Sequence, residues 1–265
     1  MKKFAMRLDA DPAPVVAAQD VADFFVGRYS FDDFNAFIDD VVPAVTFRLL
    51  GVRSLSGPDE PFAGPAAVLS PGDIEVEVLD NRSVVMGRYS FWAATVEIDT
   101  PARTWTVHAR TQLPPHVGAA QVWERRRHAP PAGKGEWETI PVGLREGWVE
   151  VSTLLDAQRS TDAVRVSRSD DVVLEGRGIL DVASFFCAVG EAFSGPGGYF
   201  GNNFTSLEEC LDDQVSGRRV RLHWKDWAVA QRHLGEIVDT ADGPMSQLDR
   251  ITAILHRANV DVLAL

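Results

Sequence analysis

The sequence predicts an α+β protein of two domains: a β-rich module over residues 1–155 and a small α/β domain over residues 168–265 with a three-stranded parallel sheet. Three observations lead there. Apolar and polar residues alternate at period two in the first part, as at Ile74, Val76 and Val78 against Glu75 and Glu77. A polar stretch at 156–170 then interrupts the pattern. From Val172 onward, short apolar runs alternate with helical periodicity, the rhythm of parallel strands joined by crossover helices.

In the first part, residues 15–25 read as a helix with Val21, Phe24 and Phe25 as its apolar set, and Phe31, Phe34, Ile38 and Val41 continue a helical stripe. Strands are expected at 45–50 and around 74–79. Residues 83–98 read as two strands parted at Gly87. Trp105, Val107 and Ala109 mark another strand, and 148–151 a late one. Residues 125–133, with Arg125, Arg126 and Arg127, read as an exposed loop. The expected architecture is a sandwich or open barrel with one or two helices.

In the second part, 172–174 is a strand. Asp181 caps a helix whose Val182, Phe185, Phe186, Val189 and Phe193 share one face. Residues 195–198, Gly-Pro-Gly-Gly, form a loop into a helix near 204–213. There Phe204, Leu207 and Leu211 line one side, and Thr205, Glu209 and Asp212 or Asp213 the other. Thr205 with Glu208, or Ser206 with Glu209, fits a capping box, and the helix is expected to begin between Asn203 and Thr205. A strand follows at 219–224, a helix at 225–234, a helix capped by Ser246 and Asp249, and a closing strand at 260–265.

Lys and Arg total 26 and Asp and Glu total 38, a net charge of −12. From Asp170 onward there are 15 acidic and 8 basic residues, a net of −7. Phosphate binding needs cations, so nucleic acid is not the expected partner. A basic protein is, because a negative field steers it into contact. No apolar run is long enough to span a bilayer, and the N-terminus turns charged at Asp9 and Asp11 before an apolar leader forms, so a cytoplasmic location away from membranes is expected. Cys187 and Cys210 lie on apolar helix faces and read as buried reduced thiols.

The stretch 198–213, Gly-Tyr-Phe-Gly-Asn-Asn-Phe-Thr-Ser-Leu-Glu-Glu-Cys-Leu-Asp-Asp, mixes a tight aromatic loop with an acidic helix. Its pattern resembles the barstar family, intracellular inhibitors of secreted microbial ribonucleases. The resemblance takes in the strand at 172–174 with Glu175 and Gly176, the helix at 181–193, the strand ending Leu222-His223-Trp224, and the last strand at 259–265, about residues 170–265 in all. It implies an inhibitor that places an acidic helix in the active-site cleft of a secreted or toxin-type basic ribonuclease, mimicking RNA phosphate and protecting the cell that makes the nuclease.

The implied partner-binding residues are Tyr199, Gly201, Asn202, Asn203, Thr205, Glu208, Glu209, Asp212 and Asp213. Tyr199 would pack over the nuclease's catalytic groups, and Glu209 would accept hydrogen bonds from the cations of its phosphate site. Both side chains are expected to point to solvent. Gly201 and Asn203 suit the loop-to-helix turn, Gly by its backbone freedom and Asn as a cap. Thr205 stands where the family commonly has an acid, and Asn202 where some members do. The family's further acid on a late helix falls near His256 or Arg257 and is not carried over.

Chemistry of its own is not expected. The six His lack metal-ligand spacing, two Cys cannot build a zinc cluster, no nucleophile elbow occurs, and the Gly-rich 195–198 segment has no phosphate-loop Lys. No catalytic residue, metal or cofactor is assigned. Two other readings stay open: an immunity protein against a toxin that is not a ribonuclease, and an enzyme in the first module regulated by the second.

Overall fold

The computed structural model describes residues 1–8, 13–29, 42–55, 67–158, 169–215, 217–240 and 243–265. The chain forms two compact units, one of Met1–Arg28 and Ala36–Ala129, the other of Tyr29–Asn35 and Pro130–Leu265.

The first unit contains strands β1 (Phe4–Leu8), β2 (Pro14–Ala18), β3 (Asp20–Ala22), β4 (Ala44–Leu50), β5 (Arg53–Ser54), β6 (Ala67–Leu79), β7 (Val85–Asp99) and β8 (Thr104–Arg110). Their order is β3-β4-β8-β7-β6-β1-β2-β5, with every pairing antiparallel. Only Gln19 separates β2 from β3, and its amide donates to the Leu50 carbonyl at 2.8 Å. β2 and β3 are therefore two halves of one bent strand. β4 and β5 are likewise halves of its partner, bent at Gly51, whose φ is +61°. The two ends of the order are thus continuous, and the sheet closes into a six-stranded barrel rather than a sandwich or open barrel. Closure leaves few free edges for edge-to-edge pairing. Phe24 fills the interior, with the rings of Phe4, Phe25, Phe47, Tyr89 and Phe91 at 4.9–6.1 Å.

Several expectations for this part are corrected. Residues 15–25 are not a helix: 15–18 and 20–22 are strand and 23–25 follow outside any strand, with Val16, Ala17 and Ala18 buried in the ladder between β1 and β5. The stripe from Phe31 to Val41 lies outside the described residues. Gly87 does not divide two strands, because it pairs with Val78 inside one long β7. The arginine run is not a loop. It ends helix α1 (Ala119–His128), where cations favour the helix dipole. Arg126 and Arg127 are buried, and Arg127 donates to the carbonyls of Leu79 and Lys3 and lies over the Phe4 ring.

The second unit opens with two 3-10 turns, Glu136–Thr139 and Val142–Leu144, and helix α2 (Glu146–Ala157). The run 148–151 is thus helical, although its Trp and Val favour strand. Trp148, Val149, Glu150 and Val151 are all buried, and burial overrides local preference. Then follow β9 (Asp171–Leu174), α3 (Val182–Ser194), α4 (Phe204–Val215), β10 (Val220–Trp224), α5 (Trp227–Leu234), the hairpin β11 (Ile237–Thr240) and β12 (Gly243–Ser246), α6 (Gln247–Arg257) and β13 (Val260–Ala264). The sheet is three-stranded and parallel in the order β13-β10-β9, as the sequence predicts. The hairpin was not foreseen.

Val172, Leu174, Val220, Leu222, Trp224 and Val260 form the sheet's buried face, and Trp224 stacks on Phe185 of α3 at 5.6 Å. The caps foreseen for α3 and α6 are present. The Asp181 carboxylate accepts from the Ser184 amide at 2.8 Å, and the Ser246 hydroxyl from the Asp249 amide at 3.0 Å. Each such cap stabilises its helix by about 1 kcal/mol. Cys187 is buried on α3 as expected, whereas Cys210 on α4 is only half-buried.

Candidate partner-binding site

The acidic helix is built by its two stripes. Phe204, Leu207, Leu211 and Val215 are buried, so the helix has one fixed orientation. Thr205, Glu208, Glu209, Asp212 and Asp213 then stand at i, i+3, i+4, i+7 and i+8, and all five are exposed. The structure therefore gathers these five predicted residues into one outward stripe of four carboxylates and a hydroxyl.

The cap of α4 differs from both predicted boxes. The Asn203 carbonyl oxygen Oδ1 accepts from the Ser206 amide at 2.8 Å, and the Ser206 hydroxyl accepts from the Asn203 amide at 3.0 Å and the Asn202 amide at 2.8 Å. Asn203 and Ser206 thus form the reciprocal pair, and Thr205 and Glu208 are left facing outward. Asn203 is a cap, as expected, and Ser206 takes part in the box as the partner of Asn203 rather than of Glu209. Gly201 has φ +90°, and a Cβ there would come within 2.8 Å of the Leu207 amide, so only glycine fits this turn.

Tyr199 does not simply point to solvent. It is half-buried, and burial first, then neighbouring Cys210, Asp156 and Glu209, push its phenol up to about 12. Its backbone carbonyl accepts from the Ser194 hydroxyl at 2.7 Å. The phenol is therefore neutral at physiological pH and offers both a donor and an acceptor. The Cys210 thiol is also pushed up to about 12, by burial and then by Asp156, Asp213 and Glu209, so it is no nucleophile. The carboxylates of Asp156 and Glu209 thus act on both groups where α4 meets Tyr199.

The acids are not equivalent. Both Glu208 and Glu209 are exposed, but Glu208 is ion-paired with Arg257 of α6. Arg250, about two α6 turns earlier, lies over the Phe204 ring at 4.3 Å.

Sequence reasoning also missed the support beneath the loop. Glu191 is 3 % exposed. One carboxylate oxygen accepts from the Gly135 amide at 2.7 Å and the Trp137 indole at 3.1 Å, and the other from the Gly197 amide at 3.2 Å. Arg145 donates to the Gly178 carbonyl at 2.8 Å and the Ser184 hydroxyl at 2.7 Å. The signal was a single acid in the otherwise apolar run 182–193, which requires buried partners.

A cleft of about 120 Å³ is lined by Lys134, Trp137, Glu138, Arg177 and Glu191, and none of the predicted site residues lines it. Among the described residues no group of three or more His, Cys, Asp and Glu is placed to hold a metal, and no helix is long and apolar enough to cross a membrane.

Residues 170–257 match the family model described as Barstar (barnase inhibitor). The match takes in β9 through α6 and places a barstar domain in the C-terminal part of the chain. It does not extend to the barrel or to α2. Neither the search of curated proteins nor that of solved structures found a match.

Proposed function

We propose that this protein inhibits a microbial ribonuclease by binding it, with the outward stripe of α4 and Tyr199 entering the nuclease's active-site cleft. The observation that carries this reading is the stripe itself: Glu208, Glu209, Asp212 and Asp213 exposed on one face, within the segment that matches the inhibitor family. Carboxylates so held compete with RNA phosphate for Arg, Lys and His groups. Glu209 is the principal phosphate mimic, because Glu208 already has a cation. The partner is a basic, secreted or toxin-type ribonuclease, and the inhibitor acts in the cytoplasm of the cell that makes it. Gly201, Asn202 and Asn203 shape the edge of the surface, and the domain performs no chemistry.

The test is a titration of barnase and of other basic microbial ribonucleases with the intact chain, following RNA cleavage. Stoichiometric loss of activity in at least one supports the reading. Full activity of every nuclease at inhibitor excess contradicts it and favours an immunity protein against another kind of toxin.

A further inference from the structure

We propose that α2 and the turn before it, which lie outside the family match, are the positioning element of the loop 195–203, and that buried Glu191 is the latch joining them. The functional weight of this inference rests on the reading of that loop as part of the binding surface. Its structural content does not. The loop leads from α3 into Tyr199 and the cap of α4, so its conformation sets where Tyr199 and the acid stripe stand.

Three attachments define it. Glu191 on α3 receives the Gly197 amide from one side and the Gly135 amide and Trp137 indole from the other, so a single carboxylate ties the loop to the segment before α2. On α2, the Ser152 hydroxyl donates to the Gly197 carbonyl at 3.4 Å, and Thr153 Oγ1 accepts from the Asn202 side-chain amide at 3.4 Å. Trp148, Val149 and Ser152 face Phe186, Gly198, Tyr199 and Gly201 across a narrow seam. The loop backbone is also close-packed on α3, because a Cβ at Gly190 would come within 2.3 Å of the Gly198 carbonyl oxygen.

The latch is chemically one-sided. Glu191 accepts three N–H bonds, each from a different residue. Charge-assisted bonds to a buried carboxylate are stronger than the two long contacts from α2. Removing the carboxylate leaves the Gly197 amide without that acceptor and frees the loop before it disturbs the sheet. Glu191 is thus a positioning residue, acting through Tyr199 and Asn202.

The test is amide hydrogen exchange, read peptide by peptide, on the intact chain without any partner. Glu191→Ala is expected to speed exchange across 197–203 at least tenfold while β10 and the centre of α3 keep their protection. Glu191→Gln, which retains one carbonyl acceptor, is expected to fall between wild type and Glu191→Ala. Should Glu191→Ala fail to fold, the double variant Ser152→Ala, Thr153→Val decides, with faster exchange expected over the same peptides. Unchanged protection of 197–203, or an equal loss in β10, overturns the proposal. A second arm measures binding of whichever ribonuclease the wild type inhibits. There Glu191→Ala should weaken affinity at least tenfold, and Glu191→Gln less. Unchanged affinity with a loosened loop would remove the positioning role. Absence of wild-type inhibition overturns the inhibitor reading and leaves the exchange result standing.

Discussion

Arg257 of α6 is ion-paired with Glu208 of α4, across 49 residues of sequence. Both side chains are about half-exposed or more, so the pair is screened by water and contributes at most about 1 kcal/mol. Arg257→Ala should therefore shift the urea midpoint only slightly while releasing a fourth carboxylate on the stripe. Association with a basic ribonuclease should become faster at low salt, and the gain should vanish as added salt shortens the Debye length toward about 8 Å. Unfolding and stopped-flow measurements check the two parts. A stability loss above about 2 kcal/mol would show the pair to be structural.

The start of α4 is held by Asn203 and Ser206. Ser206→Ala removes the acceptor of two amides and should cost about 1–2 kcal/mol. Thr205→Ala should change stability by less than about 0.5 kcal/mol, because Thr205 is exposed. Denaturant unfolding compares them, and a larger loss for Thr205→Ala would return the cap to Thr205 and Glu208.

The compact unit that carries the sheet includes Pro130–Leu265. A fragment of residues 130–265 should unfold cooperatively. The shorter fragment 168–265 lacks Trp137, Arg145 and Trp148, and it leaves the Glu191 carboxylate without the Gly135 and Trp137 donors. It should be less stable by at least about 3 kcal/mol, the order of losing a large buried aromatic. Equal midpoints for the two fragments would show that 130–157 is dispensable.

How much of this was legible follows from where the signals lie. Helices α3, α4 and α6 announce themselves through apolar faces and, for α3 and α6, through caps three residues apart. The α4 acid stripe is equally local. Helix α2 was hidden because Trp148, Val149 and Val151 favour strand, and only burial on several sides makes them helical. Barrel closure depends on pairing residues 14–22 with 44–54, which no local period encodes. Within the site, the Glu191 latch was hidden for the same reason, since Trp137 lies 54 residues away and Gly135 lies 56.

Burial holds the Glu191 carboxyl above the ordinary 4.5, against three N–H donors that favour its anion. A carboxyl raised in the folded state contributes stability that is complete below the unfolded value and is lost as pH rises through the folded one. Glu191→Gln cannot ionise. The unfolding free energy of the wild type minus that of Glu191→Gln should therefore fall as pH rises above 4.5, then level off. Urea unfolding between about pH 4 and about pH 8 measures it. A difference that grows with pH would mean that the donors outweigh burial.

The central claim is that the α4 stripe and Tyr199 are the inhibitory surface, with Glu209 as its principal charge. It is tested most directly by the dissociation constant of Glu209→Ala for a ribonuclease that the wild type inhibits, measured by titration calorimetry beside a circular dichroism spectrum. Glu209 is exposed, so the fold should be intact and binding should weaken at least tenfold, about 1.4 kcal/mol. An unchanged dissociation constant, repeated for Tyr199→Ala, would show that the partner binds elsewhere on the chain.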